Sequence, residues 1–422
     1  MTEPELPWLT LDPDGRSVSL DSSHPGFYGD PYSTFERIRS LMPAFYWKEH
    51  KLWCLLNIAD VGAVLRDRRF GRELLPLPGE AAIPQTREGQ EHLATFNLVN
   101  SNSMLEREAP VHTRLRSLVN RAFVSRHIER LRPRIAALSN ELIDRFEPVH
   151  RTELIESFAT PIPVIVIAEL LGVPVEVTPK LLEWSHRMVV MFQLGRTRRT
   201  ELEAETATRE FSEYLRGYVA ERRRAPGDDL ITHLLAAEAA GDRLSEEELI
   251  GTCILLLNAG HEATVHAIGN SVKTLLENKT DVAAAFATEA LTDATVEECL
   301  RFDPPLHLFT RVAQEDIEVA GVRLKRGDQV ALLYGAANRD PSRFTNPSRF
   351  DPTRPVAGAA SAHTTFGGGI HFCLGAPLAR LELQVSLPIL FRRLPGLFLA
   401  EQPRYRDSYH FHGLAALNVG WP

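Results

Sequence analysis

Apolar residues recur every three or four positions along most of this 422-residue chain, the spacing that lines one face of an α-helix. Segments with this pattern are residues 31–41, 58–66, 112–122, 128–146, 161–171, 204–223, 245–278 and 288–301. β-Strand patterns are fewer. Residues 45–47 and 52–56 flank a short polar turn and predict a hairpin, whereas 317–322 and 330–334 predict another small sheet. The pattern therefore predicts a mainly α fold with small β-sheets.

The longest predicted helix has an explicit start, because Ser245 and Glu248 have the spacing of a capping box. Over residues 245–278 it would extend roughly 50 Å at 1.5 Å per residue. Near its middle, Gly260 and Glu262 interrupt an otherwise apolar helix, where a glycine and a buried carboxylate each cost free energy. Two interpretations stay open: a close helix crossing at Gly260 with Glu262 reaching solvent, or a flat surface against which small molecules bind.

Composition narrows the class of protein. Hydrophobic residues make up 44% of the chain, enough to bury a large core, although this length fits one large domain as well as two or three. The formal net charge of −8 argues against nucleic acid as a partner, since such proteins usually carry a basic face. The four cysteines are widely spaced without a CxxC pair, so neither a disulfide framework nor a zinc site is indicated. A reducing compartment fits this cysteine usage.

The beginning of the chain gives no sign of export or membrane insertion. Residues 1–20 alternate prolines, acids and isolated apolar residues, and lack the continuous apolar region of a signal peptide. The strongest apolar run, 250–257, is far shorter than the roughly 20 residues that span a bilayer. We therefore expect an irregular N-terminal segment over about 1–25, no membrane anchor and a cytoplasmic location.

The most informative segment is residues 366–375, Phe-Gly-Gly-Gly-Ile-His-Phe-Cys-Leu-Gly, which leads into an amphipathic stretch over 376–394. A thiol at a helix N-terminus has a lowered pKa and can act as nucleophile or metal ligand, which we predict for Cys373. The glycines allow the backbone to lie against a bulky planar ligand. Phe366 offers it an aromatic face and His371 a donor for a carboxylate. The segment thus predicts a haem cradle with Cys373 as axial ligand, and the ten-residue combination makes a buried, inert cysteine a poor alternative.

This segment resembles the haem-binding loop of the haem-thiolate monooxygenases, or cytochrome P450 enzymes, whose pattern is Phe-Gly-x-Gly-x-His-x-Cys-x-Gly. Every fixed position is matched, and the resemblance extends over about residues 31–413. It is to the soluble bacterial type of this family. It implies one roughly triangular, mainly helical domain over 1–422, with heme b between the long helix and the cysteine loop. Residues that the resemblance assigns to cofactor binding are Ala259, Phe366, Gly367, His371, Cys373 and Gly375, with Cys373 on the iron.

The long helix resembles the oxygen-binding helix of this family, Ala-Gly-x-Glu/Asp-Thr-Thr. Gly260, Glu262 and Thr264 match, but Ala263 replaces the first threonine. The resemblance implies a catalytic role for these four positions, and the missing alcohol normally helps deliver protons for cleavage of the O–O bond. A substrate hydroxyl, an ordered water or Thr264 can take its place, with Glu262 drawing protons from solvent.

Two further sets of residues match the family. His112 and Arg116 lie four apart on one helical face, and with Arg311 and His371 the resemblance assigns them to the haem propionates. Buried propionates need such compensation. The resemblance also gives a structural triad, in which a carboxylate and two guanidiniums pin an irregular segment to a helix. Its members are Glu298, Arg301 and Arg354.

The function implied is insertion of one oxygen atom from O2 into an apolar small molecule, with electrons from a ferredoxin and its reductase. The reductant is expected to dock near Cys373 on a basic patch of Arg114, Arg121, Arg126 and Arg380. Alternatives are a peroxide-driven or nitric-oxide-reducing relative and a non-catalytic haem sensor. The substrate pocket is expected to accept a hydrophobic molecule with a polar handle, and to draw on residues 75–105, 184–194, 256–264, 306–309 and 409–414.

Overall fold

A computed structural model describes residues 6–77, 79–80, 89–122, 128–193, 196–237, 242–354 and 363–422. Helices dominate it. In chain order they are α1 Pro25–Gly29, α2 Pro31–Arg39, α3 Ile58–Arg66, α4 Ala94–Ser101, α5 Val111–Ala122, α6 Arg132–Phe146, α7 Pro161–Leu171, α8 Thr178–Val189, α9 Arg198–Arg224, α10 Leu230–Ala236, α11 Glu246–Glu277, α12 Val282–Ala285, α13 Glu289–Phe302, α14 Tyr334–Ala337 and α15 Ala376–Arg393.

The periodic segments correspond to helices, with differences at their ends. Helix α9 begins at Arg198, six residues before the predicted 204–223, because Thr197 and Thr200 form a capping box that the apolar pattern does not report. Helices α1, α4, α8, α10, α12 and α14 had no prediction; α10, for example, spans 7 residues, too few to show a clear periodicity. None of the helices in the described ranges has the length and apolar character needed to cross a membrane.

The strands are short. They are β1 Leu9–Asp12, β2 Ser17–Leu20, β3 Ala44–Trp47, β4 Leu52–Leu55, β5 Phe70–Gly71, β6 Arg151–Glu153, β7 Leu308–Ala313, β8 Ile317–Val319, β9 Val322–Leu324, β10 Gln329–Leu333, β11 Phe398–Leu399, β12 Arg404–Tyr405, β13 Leu414–Ala416 and β14 Asn418–Gly420. The main sheet has the order β1-β2-β3-β4-β10-β7-β5. The predicted hairpin is confirmed, since β3 and β4 pair antiparallel with Phe45 opposite Cys54.

Two sequence predictions about the sheets are wrong. Residues 317–322 are not one strand: positive φ angles at Ala320 and Gly321 turn the chain, so β8 and β9 form a separate hairpin. Strand β10 instead lies between β4 and β7 in the main sheet, where its residues 330–333 are buried. The N-terminal segment is not irregular throughout, because β1 and β2 pair antiparallel at the edge of this sheet.

Helix α11 forms the centre of the fold. Its 32 residues begin at the predicted capping box, in which the Glu248 N–H donates to Ser245 Oγ at 3.2 Å and the Ser245 N–H to Glu248 Oε2 at 2.9 Å. A Cβ added at Gly260 would lie 3.1 Å from Ile167 Cγ1 of α7, so the glycine permits a close crossing of the two helices. The interpretation of Gly260 as a crossing point is confirmed.

The triad of Glu298, Arg301 and Arg354 assembles as the motif indicates. Arg301 Nε and Nη2 each donate to the Glu298 carboxylate at 2.7 Å, and Arg354 Nε donates to Glu298 Oε2 at 3.0 Å. Arg301 Nη1 also donates to the carbonyl oxygens of Asn338 and Pro347 at 2.9 Å. The network ties residues 338–354 to helix α13.

Replacing Glu298 tests this network. Glu298→Ala is expected to lower the free energy of unfolding by about 3–5 kcal/mol, because it leaves the buried guanidinium of Arg301 without its carboxylate. Urea unfolding followed by far-UV circular dichroism measures the change. Glu289→Ala, in the exposed first turn of the same helix, is the control and should cost less than about 1 kcal/mol. Equal losses in the two variants would contradict the role of the network.

Candidate active site

The cysteine loop has a left-handed backbone, which favours glycine, at two positions. Gly367 and Gly369 have φ angles of 68° and 66°. A Cβ added at Gly369 would lie 2.0 Å from the Leu65 carbonyl oxygen at the end of α3, so the loop sits directly against that helix. The Cys373 N–H closes the loop by donating to the Phe366 carbonyl oxygen at 3.0 Å. Helix α15 then begins at Ala376, as the amphipathic pattern predicts.

The loop is anchored to the triad through Asn338. Its Oδ1 accepts from the Thr364 N–H at 2.7 Å, and its Nδ2 donates to Thr365 Oγ1 at 2.8 Å. Thr365 Oγ1 donates in turn to the Leu300 carbonyl oxygen of α13 at 2.8 Å. Because Arg301 holds the backbone of Asn338, the support of the cysteine loop depends on the Glu298 network.

The electrostatic setting of Cys373 differs from the prediction. Burial raises the pKa of the Cys373 thiol, and the backbone N–H groups of Gly375 and Ala376 and the guanidinium of Arg116 oppose this shift without overcoming it. The prediction of a lowered pKa is therefore wrong for the protein without a ligand, since burial outweighs the helix start. Cys253 differs, because burial raises its pKa to about 12 with no donor acting against it.

The cysteine loop and helix α11 face each other across a cavity of about 1390 Å³, part of which is open to solvent. All but one of the residues predicted for cofactor binding and catalysis line this cavity; the exception is Glu262. They are His112, Arg116, Ala259, Gly260, Ala263, Thr264, Arg311, Phe366, Gly367, His371, Cys373 and Gly375. Segments far apart in sequence thus meet at one cavity.

The edge of this cavity is rich in cationic side chains. Arg311 is only 5% exposed, and burial lowers the pKa of its guanidinium and that of Arg116. His112 is 2% exposed, and neither of its ring nitrogens has a hydrogen-bond partner among the described residues. Burial, reinforced by His371 and Arg116, lowers the pKa of His112 to about 4. Buried donors without acceptors form a site for anionic groups, so these residues fit the carboxylates of a haem.

Two residues that the sequence did not indicate complete this edge. Glu108 Oε1 lies 2.9 Å from His371 Nε2 and also accepts from the backbone N–H of Arg72 at 2.7 Å. The Arg72 side chain lines the cavity and donates to the Thr310 carbonyl oxygen at 3.0 Å. Neither residue belongs to a motif, and only the packing of distant segments brings them here.

Glu262 does not reach solvent, so that interpretation is wrong. It is 6% exposed and lies among histidines. Its Oε2 is 3.4 Å from His186 Nε2 and 3.6 Å from His261 Nε2, and its Oε1 is 3.3 Å from His266 Nε2 and 3.6 Å from an Arg406 nitrogen. Burial acts to raise the pKa of Glu262, but the nearby imidazoles of His186 and His266 outweigh it and hold that pKa well below its usual value. The carboxylate is therefore ionised at neutral pH.

A second cavity, of about 730 Å³ including space open to solvent, adjoins the first along α11. Both are lined by Ala259, Ala263 and Phe309, so they lie side by side. The five segments predicted for the substrate pocket all contribute residues to this cavity, and its use by the substrate stays a prediction. Its wall is chiefly apolar, with Asn258 and Glu262 among the few polar residues.

The predicted basic patch is smaller than expected. Arg114 forms ion pairs with Glu248 and Asp242, and Arg380 with Glu297. Arg126 lies outside the described residues. Arg380 also stacks over the Phe366 ring at 4.3 Å, so it supports the cysteine loop.

A cysteine loop that faces a long helix across a cavity edged by buried cations defines the class of haem-thiolate proteins. Comparisons with known proteins agree. The model of the family Cytochrome P450 matches residues 290–402. The Biotin biosynthesis cytochrome P450 of Bacillus subtilis is 36% identical over 96% of this chain and 99% of its own length. Cytochrome P450 monooxygenase PikC of Streptomyces venezuelae is 36% identical over 96% of this chain and 94% of its own.

Solved structures give the same result. A crystal structure of P450BioI with a hexadec-9Z-enoic acid ligated Acyl Carrier Protein has a TM-score of 0.85 at 36% identity, covering 94% of this chain and 100% of that one. The myxobacterial cytochrome P450 CYP267B1 in complex with myristic acid also has a TM-score of 0.85 at 36% identity, over 94% and 98% of the two chains. The chain belongs to the cytochrome P450 family. It is a haem-dependent monooxygenase and thus an oxidoreductase.

The buried donors at the cavity edge can be tested through haem retention. His112→Ala and Arg116→Ala are each expected to speed haem loss, because each removes a cation or donor at the cavity edge that we expect to face a haem carboxylate. Transfer of haem to apomyoglobin measures the rate. Arg114→Ala, on the same helix but paired with Glu248, is the matched control and should keep the wild-type rate. Unchanged rates in both test variants would remove these residues from haem binding.

Proposed function

We propose that this monooxygenase inserts one oxygen atom from O2 into an apolar small molecule, with heme b as cofactor and the Cys373 thiolate as its only protein ligand. The cavity between helix α11 and the cysteine loop, with the second cavity beside it, is the observation that carries this proposal. When bound there, a thiolate-ligated haem supplies reductive activation of dioxygen. The family and the cation-rich edge of the cavity support the assignment.

Different residues around Cys373 hold different parts of the cofactor. His112, Arg116, Arg311 and His371 bind its two carboxylates, and the aromatic face of Phe366 packs beside the cysteine loop. Gly367 and Gly375 let the backbone approach the sulfur, whose charge the nearby N–H groups and Arg116 favour. Ala259 and Gly260 leave room on the opposite face of the cavity. Metal coordination overcomes the burial that raises the pKa of the free thiol.

Proton delivery rests on Glu262 and on what the substrate brings. Glu262 is ionised and contacts His186, whose side chain is 49% exposed, so protons can pass between solvent and the carboxylate. Ala263 supplies no hydroxyl. Thr264 Oγ1 is 3.5 Å from the Gly260 carbonyl oxygen, within reach of a bond to its own helix. A hydroxyl of the substrate, or a water held by it, therefore completes the path from Glu262.

The second cavity indicates the substrate class. It suits an apolar molecule, and Asn258 Oδ1 is buried without a hydrogen-bond partner among the described residues. That oxygen accepts a hydrogen bond from a substrate hydroxyl, which is the polar handle. The two relatives solved with fatty-acid groups make long-chain hydroxy acids and their acyl-carrier-protein esters the first compounds to screen.

A ferredoxin with its reductase supplies the electrons, in a cytoplasmic setting. All four cysteines are free thiols, which suits a reducing compartment. Arg114 and Arg380 are engaged in ion pairs. The docking surface therefore attracts an acidic partner less strongly than unpaired arginines would.

Ligation by Cys373 has a direct spectroscopic test. The reduced wild-type enzyme under carbon monoxide should show the strongly red-shifted Soret band of a thiolate ligand, and Cys373→Ser should lose it. Cys299→Ser, which changes a buried cysteine outside the cavity, is the control and should keep the band. Retention of the band in Cys373→Ser would refute the assignment.

The absence of a hydroxyl at Ala263 generates a prediction about coupling, measured as product formed per NADH consumed. Removing the hydroxyl from a true substrate should divert electrons to peroxide while binding persists, because the proton path is incomplete. Ala263→Thr should restore part of the coupling with that truncated substrate. Glu262→Gln should slow turnover with every substrate, since it removes the shared carboxylate.

Peroxide assayed in parallel separates uncoupling from weak binding. Glu210→Gln is the control for loss of a carboxylate, because Glu210 bonds Trp184 and lines neither cavity. Equal coupling for full and truncated substrates, together with normal turnover in Glu262→Gln, would show that this helix does not relay protons as proposed.

A further inference from the structure

His186 of α8 and two consecutive residues of α11, His261 and Glu262, bring three ligand atoms together beside the second cavity. One ring nitrogen of each histidine and a carboxylate oxygen all lie within 4.8 Å of one another. We propose that these residues form a binding site for one divalent transition-metal ion such as Zn2+. Two imidazoles and one carboxylate are ligands that zinc commonly takes in proteins.

The hydrogen bonding of His261 carries the proposal. Its Nδ1 lies 2.7 Å from the Leu257 carbonyl oxygen, which can only accept, so Nδ1 carries the proton. In the neutral ring Nε2 then presents a lone pair. This atom is buried, has no hydrogen-bond partner among the described residues, and faces Glu262 Oε2 at 3.6 Å. Two acceptors that face each other are stabilised by a donor or a cation between them, and a metal ion that both coordinate meets this requirement.

The alternative cation is a proton on His261. His261 is only 4% exposed, and burial disfavours the charged form of an imidazole. A metal ion meets the same demand without protonating a buried imidazole. An Nδ1–H that donates to a backbone carbonyl is also the arrangement that orients metal-binding histidines in known sites.

The distances suit a tetrahedral ion. Bonds of about 2.0–2.2 Å place neighbouring tetrahedral ligands about 3.3–3.6 Å apart. Glu262 Oε2 is 3.4 Å from His186 Nε2 and 3.6 Å from His261 Nε2. The His186 side chain is 49% exposed, so the ion can enter from solvent beside it, and a water molecule can be the fourth ligand.

The other carboxylate oxygen has separate partners. Glu262 Oε1 is 3.3 Å from His266 Nε2 and 3.6 Å from Arg406 Nη1. A metal ion on Oε2 therefore leaves these contacts in place, and they hold the carboxylate in its orientation.

A second histidine cluster lacks these properties. Asp303 already accepts hydrogen bonds from the hydroxyl groups of Tyr32 and Tyr405, and it is fully buried with His307 and His412. With its carboxylate satisfied and no exposed member, that cluster is a structural network.

Occupation of the site would have a consequence for turnover that rests on the proposed function. An ion on Glu262 competes with protons for the carboxylate, so it should divert electrons to peroxide. Binding itself does not depend on that function, and the two effects are measured separately.

Binding is tested by calorimetric titration of Zn2+ into the untagged, chelator-treated holoenzyme. We expect one ion per chain with a dissociation constant of about 1–100 μM, a range in which calorimetry can measure the heat of binding. His186→Ala and His261→Ala should each weaken binding at least about tenfold. His233→Ala is the matched control, because His233 is also partly exposed beside an acid, with its Nε2 3.5 Å from Asp228, and it should bind as the wild type does.

Zinc-edge X-ray absorption on the loaded enzyme should show two imidazoles with oxygen ligands and no sulfur. The reduced carbon monoxide spectrum and haem content of each variant establish that it is folded, and His261→Gln replaces His261→Ala if the latter is not. No stoichiometric binding in the wild type, or affinity unchanged in either ligand variant, overturns the site.

The link to turnover is tested by adding Zn2+ to the reconstituted system. Product per NADH should fall in the wild type as the site fills, with the same midpoint as the calorimetric titration, and the midpoint should move at least about tenfold higher in His186→Ala. Saturation of the site without loss of coupling would leave the metal site standing and overturn its effect on proton delivery. Failure of all turnover would instead count against the proposed function.

Discussion

The buried ion pair between Glu298 and Arg301 is the interaction on which the site depends. Arg301 cannot be buried without a carboxylate, and its remaining N–H groups bond backbone carbonyls in the irregular segment that follows α14. Asn338, held in this way, bonds the two threonines that enter the cysteine loop. A charge buried far from Cys373 therefore fixes the position of the thiol, because each step between them is a hydrogen bond to a buried group.

The two sides of the central cavity have opposite electrostatic character. On the side of the cysteine loop, Arg311 is buried and Arg116 is half-buried beside His112, whose ring has no hydrogen-bond partner among the described residues, and this cationic edge attracts anions. On the side of α11, Glu262 is a buried anion that histidines and Arg406 stabilise. This separation suits an anionic cofactor at one wall and a proton-handling carboxylate at the other.

Helix α11 packs against α7 and also lines both cavities, because two of its residues have no side chain or a very small one. Gly260 allows α7 to approach, while Ala263 faces both cavities and offers no hydroxyl. The neighbouring Glu262 turns away from the cysteine loop toward His186. Under the proposed function, the substrate lies between the cofactor site and a proton path that lacks one hydroxyl, so the chemistry depends on the groups that the substrate carries.

The sequence by itself determined the features that are local: the capping box of α11, the glycine-dependent cysteine loop, and the helical spacing that sets His112 and Arg116 on one face. These depend on neighbours within a few residues, and so a pattern can report them. Only the tertiary structure decided that burial outweighs the helix start at Cys373, and that β10 enters the main sheet. It also decided that Glu262 meets His186. Burial and contacts between distant segments have no local signature, because they follow from how the whole chain packs.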